Sequence, residues 1–140
     1  MTHLREKFSV AAPNMDRHSS RRIVSAWIAA MWVTAIGSLL PGFILHSTVR
    51  AIPMNDKLIH FLIYTALAVL PVLGFGSFWT GLLCATLMIG FGALLEAAQL
   101  LVPERSAELA DMAANASGVL IGIVLGWLWK AARKKEEHLR

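Results

Sequence analysis

Residues 112–129 read MAANASGVLIGIVLGWLW. The run holds no charged side chain, and its glycines recur at every fourth position: Gly118, Gly122 and Gly126. An apolar, charge-free run of about 18 residues or more reads as a membrane-spanning helix, because a helix satisfies its own backbone groups where no water can. Glycines four apart fall on one helix face and let a neighbouring backbone come close, so that van der Waals contact replaces the hydrophobic drive that lipid removes. These three are therefore helix-packing residues, and the partner is a helix of the same chain or of a second copy. Outward from this stretch, three more long apolar runs appear, over about 79–102, 58–75 and 23–45. Period-two alternation, the mark of a membrane barrel, is absent. The expected fold is all-α, a four-helix transmembrane bundle over residues 23–129. Basic tails flank it at 1–22 and 130–140. Pro41 and Gly42 are expected to loosen the end of the first helix rather than break it early. Trp79, Trp127 and Trp129 sit at span ends, where indoles favour the membrane interface.

Composition agrees. Of 140 residues, 56% are hydrophobic and 16% charged, against roughly 45–50% and 25% in soluble domains. That excludes disorder as the main state and argues against a soluble domain, since so short a chain has too little interior for these side chains. A single cysteine, Cys84, excludes an intramolecular disulfide and a cysteine metal cluster, and reads as a small packing residue. The first apolar run is too long for a signal-peptide core of about 7–15 residues, so an uncleaved first helix is expected. Met15 is a second candidate start.

The formal charge of +4 is no nucleic-acid signal, because the basic residues gather in the tails. Arg5, Lys7, Arg17, Arg21 and Arg22 precede the first span, and Lys130, Arg133, Lys134, Lys135 and Arg140 follow the last. Only Arg50, Lys57 and Arg105 lie between. The positive-inside rule then puts both tails in the cytoplasm and the first and third connections outside.

Ionisable groups within spans cost roughly 2.5–3.5 kcal/mol each on insertion scales and need a reason. Three groups stand at the outer level of this chain: Asp56, Lys57, His60 and Tyr64; Glu96 and Gln99, followed by Glu104 and Arg105; and Asp111 and Asn115. At about 100° per residue Asp56, His60, Tyr64 and Lys57 fall within a ~100° sector of their helix. Glu96 and Gln99 share a face, as do Asp111, Asn115 and the three glycines. The expectation is one outward polar pocket, with His60, Glu96, Arg105 and Asn115 lining it and Asp56 and Asp111 at its rim.

At DKLIHFLIY (56–64), EAAQ (96–99), Arg105-Ser106 and DMAANASG (111–118) followed by the spaced glycines, the chain resembles the VanZ-like family of bacterial membrane proteins. The resemblance covers about residues 56–126. It implies a multi-pass protein of the bacterial inner membrane with these polar positions as its signature. It also implies a link to glycopeptide antibiotics, since the founding member is associated with low-level teicoplanin resistance. It implies no mechanism.

Several chemistries fit the polar residues. His60, with Asp56 one turn before it, has the form of a general base and its orienter; a hydrogen bond joining two helices fits equally. Glu96 suits a buried proton-holding acid, or a salt bridge to Arg105 or Lys57. The catalytic candidates are thus His60, Glu96, Asp56 and Asp111, the last also a natural helix cap. Lys57, Tyr64, Gln99, Arg105 and Asn115 are ligand-binding candidates; Arg105 and Lys57 suit an anionic lipid or wall precursor, although the acids outnumber them. Asp56, His60, Glu96 and Asp111 are acceptable metal-ligand types, but no HExxH spacing or cysteine joins them, and no metal or cofactor is assigned. No phosphate loop or GxSxG elbow occurs. The leading reading is a pocket that binds or modifies an envelope lipid or wall precursor. The rivals are an accessory module locked by its polar cluster and a small carrier acting as a homodimer. The expected partners are membrane lipids and not nucleic acid.

Overall fold

The computed structural model describes residues 17–41, 56–103 and 107–139. It contains four helices: α1 (Arg17–Ser38), α2 (Asp56–Gly74), α3 (Phe78–Gln99) and α4 (Leu109–His138). No strand occurs among the described residues. The chain is all-helical, and α2, α3 and α4 (to Glu136) are each long and apolar enough to cross a membrane.

The surface bears this out. Trp32, Val33, Trp79, Leu83, Leu94 and Leu120 are each at least 60% exposed, on three of the four helices. A soluble monomer rarely leaves so wide an apolar surface uncovered. The buried core is small by comparison: Tyr64, Leu67, Ala68 and Val72 of α2, Ala85 and Met88 of α3, and Val119 of α4.

The helix ends follow local chemistry. Ser77 begins α3 with its Oγ accepting from the Thr80 N–H at 3.4 Å, a hydroxyl satisfying an otherwise orphaned donor. Pro71 lies inside α2; neighbouring helices tolerate such a break in a span, and α3 starts directly against it. A Cβ on Gly81 would stand 2.8 Å from the Pro71 carbonyl oxygen. Two ends differ from the sequence expectation. The first helix stops at Ser38, short of the expected end at residue 45. Leu40 precedes Pro41, and the residue before a proline is pushed out of the α region; residues 42–45 lie outside the described set. At the other end, α4 does not stop at Trp129 but continues through the basic segment to His138.

α4 packs most extensively on α2, with smaller α2–α3, α1–α2 and α3–α4 interfaces and a slight α1–α3 contact. The glycine face makes the α2–α4 contact. A Cβ on Gly118 would collide with the Phe61 carbonyl oxygen, one on Gly122 with that of Thr65, and one on Gly126 would stand 2.8 Å from Val72 Cγ1. The stripe therefore meets a helix of the same chain. α1 runs antiparallel to α2: Ile23 and Val24 press on Gly74, Trp27 meets Phe75 edge-on at 6.0 Å, and at the opposite end Gln99 Nε2 donates to the Ser38 carbonyl at 3.2 Å. The start of α1 and the end of the α4 span thus share one face of the bundle, and the starts of α2 and α4 share the other with the end of α3.

Lys130 shows what the extension of α4 does. Its Nζ donates to the Phe75 carbonyl at 2.9 Å while the residue is only 5% exposed. The long stem lies along apolar surface and the ammonium meets a carbonyl left without a helical donor at the end of α2. Lys130→Met should lower stability by about 1–3 kcal/mol, the usual loss when a buried polar group is stripped of its partner. Thermal melting in detergent checks this, with exposed Lys135→Met unchanged.

Candidate functional site

At the face where α2 and α4 begin, three helices contribute polar side chains to one place. Gly118 brings the backbones of α2 and α4 together, and this proximity lets His60 reach across. His60 Nδ1 lies 3.0 Å from Asn115 Oδ1 and 3.7 Å from Glu96 Oε1. The carboxamide oxygen only accepts, so Nδ1 is the donor in this contact. Asn115 and Glu96 are each 2% exposed. The partner orienting His60 through Nδ1 is therefore Asn115, with Glu96 behind it, in place of the Asp56 expected one turn before it. Asn115 Nδ2 has no hydrogen-bond partner among the described residues. Gly92 of α3 makes the room: its Cβ position lies 3.0 Å from the Tyr64 hydroxyl and 3.1 Å from Asn115 Nδ2. No spacing rule singled out Gly92.

A second layer lies toward the bundle end. Lys57 Nζ donates to Glu108 Oε2 at 2.9 Å and to Asp111 Oδ1 at 3.4 Å. The ammonium holds the Glu108 carboxyl below its usual range. Glu108, immediately before α4, has no counterpart among the sequence candidates; its place three residues ahead of Asp111 was the available signal. Asp111 is 6% exposed and sits in the first turn of α4, whose cap position is Glu108. Its carboxylate faces Lys57, so it is not the terminal cap. One ligand atom each from exposed Asp56, His60 and buried Asp111 all lie within 4.8 Å of one another. Arg105 lies outside the described residues.

The cavity beside this cluster lies to one side of it. A groove of about 450 Å³ runs between α1 and α2. Val33, Ile59, Ile63 and Leu67 give it apolar walls, and Asp56, His60, Tyr64 and Gln99 give it a polar end. Glu96, Asp111 and Asn115 do not line it among the described residues; they stand behind His60. The expected single pocket is therefore two features joined at His60: a buried polar cluster between α2, α3 and α4, and a lateral groove opening toward α1.

A family model for VanZ/LLP1 matches residues 7–130. The chain belongs to that family. The match extends well beyond the 56–126 segment where the resemblance was legible and takes in α1. No curated protein and no solved structure matches the chain. The described polar positions of this VanZ-family protein thus gather at one end of a membrane bundle, and His60, which lines the groove and contacts Asn115 and Glu96, joins groove and cluster.

Proposed function

We propose that this VanZ-family protein is a multi-pass protein of the bacterial inner membrane that binds an anionic envelope lipid or lipid-linked wall precursor at its outer face. In this reading α1 is a fourth span, both tails are cytoplasmic, and the Asp56 end of the bundle faces outward. The observation that carries the proposal is the groove, whose apolar walls and polar end on His60, Tyr64 and Gln99 suit an acyl chain with its headgroup at the rim. Such a site is concave, mostly apolar and has a few convergent polar groups. It opens sideways between two helices, so lipid enters from the membrane without passing through water. An effect on teicoplanin susceptibility would follow if the ligand were a wall precursor.

Gly37 provides the test. It lines the groove and a Cβ there meets nothing within 4 Å, so Gly37→Leu occupies the groove without disturbing the packing. The variant should melt like the parent yet lose lipid that co-purifies with it, read by mass spectrometry of the detergent extract. Retention of the same lipid by Gly37→Leu would refute the proposal.

A second reading also has support. The His60–Asn115 and Gln99–Ser38 hydrogen bonds tie helices together, as an accessory module locked by its polar residues requires. His60→Ala and Glu96→Ala distinguish the two: normal expression with an altered lipid or precursor profile favours the groove, and loss of expression alone favours the lock. Reporter fusions to the tails should read cytoplasmic, and labels at Thr48 and Ser106 external; a tail read as external would turn the polar end inward and remove the proposed ligand.

A further inference from the structure

The polar end of the groove carries a charge problem. Asp56 lines that end, Asp111 stands beside it with His60 between groove and cluster, and Lys57 is already paired with Glu108 and Asp111. A phosphate brought to that end meets carboxylates first.

We propose that Asp56, His60 and Asp111 hold a divalent cation, and that this cation bridges the acidic end of the groove to a phosphate-bearing headgroup. The inference rests on the groove reading and names the chemistry by which that site takes its ligand. Three observations carry it. The three ligand atoms, from two helices, already lie within 4.8 Å of one another, and modest side-chain rotation brings them onto one ion. His60 is oriented as metal-binding histidines are, with Nδ1 engaged by Asn115 Oδ1 at 3.0 Å and Glu96 behind it, the kind of second contact that holds a ligand ring in place. Asp56 and His60 also line the polar end of the groove, so an ion they hold stands where a headgroup at the rim would meet it.

Lys57 competes for Asp111 but does not block the site. Its closer contact is Glu108, at 2.9 Å against 3.4 Å, so the ammonium stays on Glu108 when Asp111 turns to the ion. Two carboxylates and one imidazole leave coordination positions open; carboxylate and imidazole ligands together suit Mn²⁺ or Zn²⁺, and a divalent ion held by few protein ligands commonly completes its shell with phosphate oxygens. Because Asp111 comes from a different helix than Asp56 and His60, no single spacing motif announces the site.

The test uses the full chain in a neutral detergent, stripped with EDTA and titrated with Mn²⁺ alone. Electron paramagnetic resonance should show one saturable Mn²⁺ per chain. Spin-echo modulation should show a directly bound imidazole nitrogen that His60→Gln removes. Asp56→Asn changes an exposed residue outside the Lys57 ion pairs and should weaken binding at least tenfold with an unchanged melting profile. Absence of saturable binding, absence of the nitrogen signal, or equal affinity in Asp56→Asn overturns the cation site. A second arm places the chain in nanodiscs containing phosphatidylglycerol and compares retained lipid with Mn²⁺ and with EDTA, with and without inorganic phosphate. Retention that requires Mn²⁺ and resists free phosphate supports a lipid headgroup on the ion, and displacement by free phosphate assigns the bridge to phosphate itself. Equal retention in EDTA overturns the bridge and leaves the groove standing. Mn²⁺ bound with no lipid retained overturns the groove and leaves the cation site standing.

Discussion

In detergent, Gly122→Leu should lose the cooperative melting transition of the parent chain. A Cβ at this position collides with the Thr65 carbonyl oxygen and stands 2.8 Å from the Ala68 Cβ. Overpacking relieved by side-chain movement costs about 1–3 kcal/mol. Here the obstacle is the backbone of α2, so relief requires α4 to move away along its largest interface, and the expected loss exceeds about 3 kcal/mol. Separation of α4 would also strip His60 of Asn115 and Lys57 of Asp111, so the polar cluster should fail with the packing. Gly122→Ala should be intermediate. Gly90→Leu, on α3 where a Cβ meets nothing within 4 Å, should leave melting unchanged. A Gly122→Leu chain that melts normally but changes its oligomeric state would place the stripe between chains instead.

The second large effect is a cross-link. His60→Cys with Asn115→Cys, in a Cys84→Ser background, should form a disulfide or short thiol-reactive bridge in most molecules, since the parent side chains meet at 3.0 Å and Gly118 holds the two backbones in contact. Disulfides need Cα atoms about 4.4–6.8 Å apart, so a short bifunctional reagent covers the range just beyond. Neither single-cysteine parent should shift. Asp56→Cys with Asp111→Cys gives a second pair between the same helices. Failure of both pairs would mean that α2 and α4 do not meet at their polar ends, and the site built on His60 would fall with them.

These two experiments mark where the sequence could and could not be read. α2 and α3 are legible to within a few residues, because a charge-free run long enough to span a bilayer is a local property of the chain. α1 ends at Ser38, earlier than its apolar run suggests, because Pro41 acts on the residue before it as well as on its own turn. α4 was expected to stop at the aromatic pair Trp127 and Trp129. Charged residues beyond a span do not prevent a helix, however, and Lys130 and its successors are good helix formers. The polar candidates His60, Glu96 and Asn115 were visible because ionisable or amide groups stand out against apolar spans. That they meet was a matter of topology, since the starts of α2 and α4 and the end of α3 share one face.

What the sequence determined by itself is therefore the class of the molecule and the faces of its helices: apolar runs of membrane length, a glycine every fourth residue, polar residues one turn apart. Each is a property of one helix and its solvent, and a period along the chain records it. The tertiary structure alone decided the partners. His60 takes Asn115, 55 positions away, where Asp56 was the neighbour in sequence. Lys57 chooses Glu108 and Asp111, Lys130 folds onto Phe75, and the groove opens toward α1 beside the polar cluster. Partner choice depends on how closely two helices approach and how each is rotated about its axis. In this chain the backbone contacts of Gly118 and Gly122 against α2 set that approach, and no pattern within a single helix carries it.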